Sequence, residues 1–195
     1  IGNPELDPNS THTGSLNFNN YNFRERSGYN LYIKTNFFEN EIVSTSVFDA
    51  NGKKTTSYVN VKNTHSTAIG GNWNQYIKKE VHVFRYGINF NANLSFDKGY
   101  TNTVLYNTKS VRVTPSIYLS YDYGELLTIT PSYKFTYNET KYENYTIDSN
   151  SNVLHKINLQ TTSYWPKNWV WGNDFGYTYN SNISGDFKKD FYLWN

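Results

Sequence analysis

Cysteine and methionine are both absent from this chain of 195 residues, which excludes disulfide frameworks, thiolate metal sites, cysteine nucleophiles and redox motifs before any spacing is considered. Without Met there is no start residue, and the opening Ile1-Gly2-Asn3-Pro4 has neither a basic n-region nor an apolar h-region. A mature product or an excised segment is the expectation. Charge is scarce as well: 18 Lys and Arg face 16 Asp and Glu, for a net +2, and charged residues are 17% of the chain against roughly 25% in an average soluble domain. That balance lacks the basic stripe of a nucleic-acid binder, so no nucleic-acid partner is expected. No run approaches the ~20 consecutive apolar residues of a membrane-crossing helix.

What the chain has instead is aromatic: 19 Tyr, 12 Phe and 5 Trp make up 18% of it. The remaining polarity is mostly Asn, Ser and Thr, which compete with helix formation through their side chains and do not give the high charge of disordered segments. An all-β fold is expected, with room for one domain or one piece of a larger one.

Strict alternation carries the argument further. Phe84, Tyr86, Ile88, Phe90, Ala92, Leu94 and Phe96 alternate with Arg85, Gly87, Asn89, Asn91, Asn93 and Ser95, a period of two that puts the sets on opposite faces of one strand. At about 3.3 Å per residue this strand is roughly 40 Å long; tilted by ~40° it crosses an apolar band some 25 Å tall. Val111–Tyr123 repeats the pattern with Tyr118 as its one exception, and Leu126–Asn138 and Trp169–Asn180 repeat it again. Weaker versions at Ser15–Phe23, Tyr29–Phe38, Thr67–Ile77 and Val153–Tyr164 bring the expected number to about eight strands. Asn17, Asn19, Asn20 and Asn22 fall on both faces of the first and leave its register open. Pro115 and Pro131 interrupt two of the best strands, and bulges are expected there.

Connections are read as alternately short and long. Arg24–Gly28, Ile77–Val83, Gly124-Glu125 and Trp165-Pro166-Lys167-Asn168 are short; Glu39–Asn63, Asp97–Ser110, Glu139–Asn152 and Ser181–Asp190 are long. Outer-membrane barrels pair short periplasmic turns with longer extracellular loops in this way. Aromatics gather near both ends: Tyr121, Tyr123, Trp165, Trp169 and Trp171 by the short turns, and Phe96, Tyr100 and Tyr137 toward the long connections, as interfacial belts do.

No catalytic constellation is present, and no enzyme is expected. His12, His65, His82 and His155 lie far apart without metal-ligand spacing and read as surface or lumen polarity. No nucleophile elbow, phosphate-binding loop or dinucleotide fingerprint occurs, and Asp174 reads as a solvated residue on the polar side of its strand. Neither a metal nor another cofactor is expected. Asn-x-Ser/Thr triplets at Asn9, Asn93, Asn138, Asn144 and Asn182 match what chance gives in such a composition. Recognition is placed on the long connections, because loops on a rigid scaffold are where ligands are usually met. Tyr100, Tyr106, Tyr142 and Tyr145 are the candidate ligand-binding residues, each offering a flat apolar face and a hydroxyl.

The opening Gly2-Asn3-Pro4-Glu5-Leu6-Asp7-Pro8 resembles a signature in the barrels of TonB-dependent outer-membrane receptors. Tyr58-Val59-Asn60 and Gly70-Gly71 fall where that family has a Tyr-x-Asn stretch and a Gly-containing strand. Phe191-Tyr192-Leu193-Trp194-Asn195 looks like the start of a further strand, and the Asn- and Tyr-rich strands are most similar to the Bacteroidota-type outer-membrane β-barrel proteins. The resemblance implies an antiparallel transmembrane β-barrel segment of about eight to nine strands over residues 1–195. It would be incomplete at both ends, with the plug domain and the last strands absent. It further implies a place in the bacterial outer membrane and uptake of a scarce nutrient. Implied partners are outer-membrane lipid, the receptor's own plug domain, TonB, the barrel-assembly machinery and a small-molecule, glycan or peptide substrate. Two alternatives stand beside it: a complete eight-stranded barrel acting as adhesin or porin, and a soluble extracellular β-sandwich that stacks carbohydrate on Tyr and Trp.

Overall fold

The computed structural model describes residues 3–164 and 169–195, so the turn expected at Trp165-Pro166-Lys167-Asn168 lies outside the described residues. Among those described there are strands and no α-helix. They are β1 (Ser10–Asn22), β2 (Ser27–Glu39), β3 (Glu41–Phe48), β4 (Lys54–Val61), β5 (Thr64–Lys79), β6 (His82–Thr101), β7 (Val104–Val113), β8 (Ser116–Tyr123), β9 (Leu127–Glu143), β10 (Ser149–Ser163), β11 (Trp171–Asn180) and β12 (Asp190–Trp194). Each segment read from alternation falls on strand, with Val111–Tyr123 divided between β7 and β8.

The main sheet runs β1-β2-β5-β6-β7-β9-β10-β11-β12, every neighbouring pair antiparallel, and β8 continues β7 between β6 and β9. Counting β7 and β8 as one stave, the sheet is nine staves wide. It is open, with β1 and β12 as its edges. β3 and β4 form a separate hairpin within the connection from β2 to β5.

Two adjacent rows show how the alternation becomes two faces. Tyr29, Trp73, Ile88, Ile117, Tyr133, Ile157, Tyr177 and Tyr192 are successive cross-strand partners on one side. One residue along, Asn30, Asn72, Asn89, Ser116, Lys134, Lys156, Thr178 and Phe191 are partners on the other. Charges on the apolar face occur only toward its ends: Lys79 at the short-turn end, and Glu39, Lys98, Lys109, Glu139, Lys141, Glu143 and Asp190 at the opposite end. The band between is uncovered: Leu16 is 74%, Ile88 48% and Phe90 43% exposed, whereas Val61 is the one buried hydrophobic side chain among the described residues.

The polar face is levelled by glycine. Tyr21 is paired with Gly28, Tyr32 with Gly70, Tyr118 with Gly87 and Tyr106 with Gly99. In each pair the ring occupies the space that a side chain on the glycine would fill. Tyr32 crosses Gly70 to donate its Oη–H to Asn91 Oδ1 at 2.8 Å. Tyr118, the exception to its strand's alternation, is thereby accounted for: it covers Gly87.

Several expectations are corrected. Neither proline makes a bulge. Asn89 faces Ser116 and Ala92 faces Val113, so the register passes Pro115 unshifted, and Pro131 keeps its place opposite Leu159. The missing N–H groups cost ladder continuity instead, dividing β7 from β8 and interrupting the β8–β9 pairing between Tyr118↔Ser132 and Tyr121↔Ile129. The register of β1 is continuous from Ser10↔Glu39 to Asn22↔Ser27, with Leu16 and Phe18 on the apolar face beside Ile33 and Leu31.

The long connections are mostly strand. Asp97–Ser110 contracts to a two-residue turn, Asn102-Thr103, because β6 and β7 continue pairing as far as Thr101↔Val104. Asn102 and Thr103 have φ of 47° and 67°, the left-handed pair of a type I′ turn, which suits Asn-Gly far better than a β-branched residue. Thr103→Gly is expected to raise the urea midpoint in detergent, by about 1 kcal/mol of stability; an unchanged or lower midpoint would show the turn unstrained. Glu139–Asn152 leaves only residues 144–148 outside strands, and Glu39–Asn63 is largely the β3–β4 hairpin.

Candidate functional site

Three of the four sequence-derived tyrosines meet. Tyr106 on β7 and Tyr142 on β9 lie on the polar face at the end of the sheet, where β7 and β9 pair through Thr108↔Tyr142. Tyr145 comes from the turn that follows β9, which is closed by a bond from the Tyr142 N–H to the Asp148 carbonyl at 2.8 Å. Its ring centroid is 4.7 Å from that of Tyr106 and 5.0 Å from that of Tyr142. Gly99 lets Tyr106 lie flat, since a Cβ there would stand 2.5 Å from the Tyr106 hydroxyl. Burial, together with the neighbouring Tyr145 and Tyr142, raises the Tyr106 hydroxyl above its ordinary pKa. The phenol is therefore neutral at physiological pH and able to donate a hydrogen bond.

Tyr100 does not join them. Its partner is Leu105, and both are on the opposite, apolar face. Parity explains this: Gly99 and Tyr106 share one side, so Tyr100 must take the other. Below the cluster, Lys109 Nζ donates to Glu143 Oε1 at 2.7 Å and Asn107 Nδ2 to Glu143 Oε2 at 3.2 Å. These hydrogen bonds, Lys109 first, hold the Glu143 carboxyl below its usual range. The pair lies just beyond the apolar band and anchors the outer end of β9 to β7.

At the other end of the polar face, Arg85 Nη1 donates to Asp122 Oδ2 at 2.6 Å, and Thr128 donates to Asp122 Oδ1 at 3.0 Å. The Arg26 and Arg85 guanidinium carbons stand 5.1 and 6.0 Å from the centre of the Tyr76 ring, within reach of a cation–π attraction. Alternation places Arg85 and Asp122 on the polar face, but only the register Arg85↔Ser120 brings them together.

The histidines are on the surface, but the expectation of lumen polarity is corrected. None lies on the polar face; all four lie on the apolar one, three of them among aromatics. His65 stacks on Phe96 with ring centroids 5.6 Å apart, His82 accepts or donates at 2.9 Å from Tyr121 Oη, and His155 does so at 2.8 Å from Tyr133 Oη. An imidazole among aromatic rings has an apolar body and a polar edge, so it fits a mixed belt as well as a solvated wall. Among the described residues, no group of three His, Asp or Glu side chains is placed to hold a metal ion.

The two stretches on which the family resemblance mainly rests are in contact. Asn3 Nδ2 donates to the Tyr58 carbonyl at 2.9 Å, the Asp7 N–H donates to Asn60 Oδ1 at 2.8 Å, and Asn60 Nδ2 donates to the Asp7 carbonyl at 3.0 Å. Asn60 Nδ2 also reaches the Asn40 carbonyl at 2.7 Å, so one side chain fastens the opening segment to the base of the β3–β4 hairpin. Thr64, 1% exposed, donates to Glu41 Oε2 at 2.6 Å and closes that base. No protein-family model, curated protein or solved structure matches the chain.

Proposed function

We propose that this chain is a stretch of barrel wall from a TonB-dependent receptor of the bacterial outer membrane, with its polar face toward the lumen. The Tyr106–Tyr142–Tyr145 cluster then forms part of the substrate contact. The observation that carries this reading is the nine-stave sheet whose uncovered apolar band is bounded at both ends by charge. Aromatic rings line its margins, with Tyr121, Tyr123 and Trp171 at the short-turn end and Phe37, Phe96 and Tyr179 at the other. Water does not stabilise such a band, whereas lipid does.

The competing readings fare less well. A β-sandwich buries its apolar face against a second sheet, and here that face is exposed. A complete small barrel must join its first and last staves. In an antiparallel sheet of nine staves those two run in the same direction, so joining β1 to β12 would need a parallel seam. An odd number of further strands closes the barrel with antiparallel pairs throughout. A barrel completed in this way is the larger wall that the resemblance implies, with lipid, a plug domain, TonB and the barrel-assembly machinery as its proposed partners.

In the intact receptor, Ala at Tyr106, Tyr142 and Tyr145 together is expected to weaken substrate binding by tenfold or more, without lowering the amount folded in the outer membrane. Each stacking contact contributes about 0.5–1.5 kcal/mol. Tyr100→Ala, on the opposite face, should leave affinity unchanged. Unaltered binding in the triple variant would reduce the cluster to packing.

A further inference from the structure

The polar face carries an unbalanced charge at its middle. Lys134 on β9 and Lys156 on β10 are direct cross-strand partners, which in an antiparallel pair sets their Cβ atoms ~4.5–5.5 Å apart on one face, an unfavourable arrangement for like charges. Three other cations of the sheet are matched, Arg85 with Asp122, Lys109 with Glu143 and Lys141 with Glu139; Lys34, Lys78 and Arg112 on the polar face are single charges, whereas Lys134 and Lys156 face each other. Neither Lys134 nor Lys156 has a carboxylate within ion-pair distance among the described residues. The polar-face carboxylates of the sheet lie outside ion-pair distance of both lysines. Asp97 accepts from Ser95 at 2.7 Å, Asp122 is held by Arg85, and Asp174 faces Gln160.

The two lysines line a cavity of about 510 Å³. Gly176, partnered with Asn158, leaves room beside Lys156. The lining offers donors that carry no negative charge, the Ser116, Ser132, Thr178 and Tyr118 hydroxyls and the Asn89 and Asn158 amides, beside apolar Ile117, Ile157, Phe191 and Leu193. No Asp or Glu lines the cavity.

We propose that this row is an anion-binding site for a phosphate group, carried by a small ligand or free. Two ammonium charges side by side match a dianionic group better than a single carboxylate. Lysine meets phosphate as a point charge without demanding the planar geometry of a guanidinium. Neutral hydroxyls and amides complete the coordination of the remaining oxygens. The site is separate from the tyrosine cluster, and it is defined by strand register and the cavity lining, so it does not rest on the outer-membrane reading.

The test uses the full-length protein folded in detergent micelles, titrated calorimetrically with inorganic phosphate, glucose 6-phosphate and glucose. Saturable binding of one or both phosphates and none of glucose is expected. Tighter binding of glucose 6-phosphate assigns the site to an ester, and tighter binding of inorganic phosphate assigns it to the free ion. The double variant Lys134→Gln, Lys156→Gln should lose at least tenfold in affinity, while Lys34→Gln, a cation elsewhere on the polar face, should not. Removing the like-charge pair should also leave the phosphate-free protein at least as stable to heat as the parent, whereas a purely structural role for the lysines would lower its melting temperature. Equal affinity in the folded double variant and the parent, or no saturable binding by the folded parent at millimolar phosphate, would overturn the proposal. Neither outcome bears on lipid exposure of the opposite face.

Discussion

With the apolar face in lipid as proposed, Ile88→Arg or Phe90→Arg should nearly abolish the protein in outer-membrane fractions, whereas Asn89→Arg between them should leave it close to the parental level. The three positions share β6 and differ only in face. Ile88 lies between Trp73 and Ile117 in the apolar row, while Asn89 lies between Asn72 and Ser116 in the polar one. A lipid-facing Arg near the midplane of a barrel wall costs ~2–4 kcal/mol, a large share of a marginal folding free energy. On the polar face an added Arg meets water and amides at little cost. The comparison holds charge, size and strand constant, so a difference reports the environment of each face and nothing else. Immunoblots of fractionated membranes would measure it, and comparable amounts of all three variants would refute the lipid-facing assignment.

How much of this was legible in the sequence depended on whether the signal was local. Alternation is local, so β6, β9 and β11 were readable to within about five residues, whereas the short last strand at Phe191 was read from the family resemblance. Sidedness followed directly, because period two leaves no choice of face once a strand is accepted. Features that depend on partner strands were not readable. Loop residues Asp97–Tyr100 looked like a connection because alternation fades once a strand leaves the apolar band, yet the backbone ladder continues through Thr101↔Val104. Pro115 and Pro131 looked like bulge sites, but losing a donor from a ladder does not require an inserted residue. The tyrosine cluster was half readable. Parity along β6 and β7 separates Tyr100 from Tyr106 only when the turn at Asn102-Thr103 is known to hold two residues. The Lys134–Lys156 pair was out of reach, since β9 and β10 are joined by a turn whose length sets which lysine faces which.

The glycines of the polar face give the second large effect. Gly87→Val is expected to destabilise the folded protein by about 1–3 kcal/mol, the range for forcing extra carbon into a packed site, and Gly14→Val to change it by no more than about 0.5 kcal/mol. A Cβ on Gly87 would stand 2.7 Å from the Trp73 carbonyl oxygen and 2.7 Å from the Tyr118 ring, while one on Gly14 meets nothing within 4 Å. Gly14 lies on the apolar face of edge strand β1, beside Thr35, and serves as the open-space reference; neither glycine has a positive φ, so the contrast does not come from a left-handed backbone. The two obstacles at Gly87 are also separable. Tyr118 is a side chain and can be removed, whereas the Trp73 carbonyl belongs to the β5 backbone, whose ladder to β6 passes through Asn74↔Gly87. In a Tyr118→Ala background, Gly87→Val should therefore cost less than in the parent, though still more than Gly14→Val, because the backbone clash persists. Urea titrations in micelles, following the folded fraction, would measure each step. Full recovery in the Tyr118→Ala background would mean that the ring alone excludes a side chain at Gly87. A loss at Gly14 as large as at Gly87 would show that strand glycines here are limited by something other than the tyrosines laid across them.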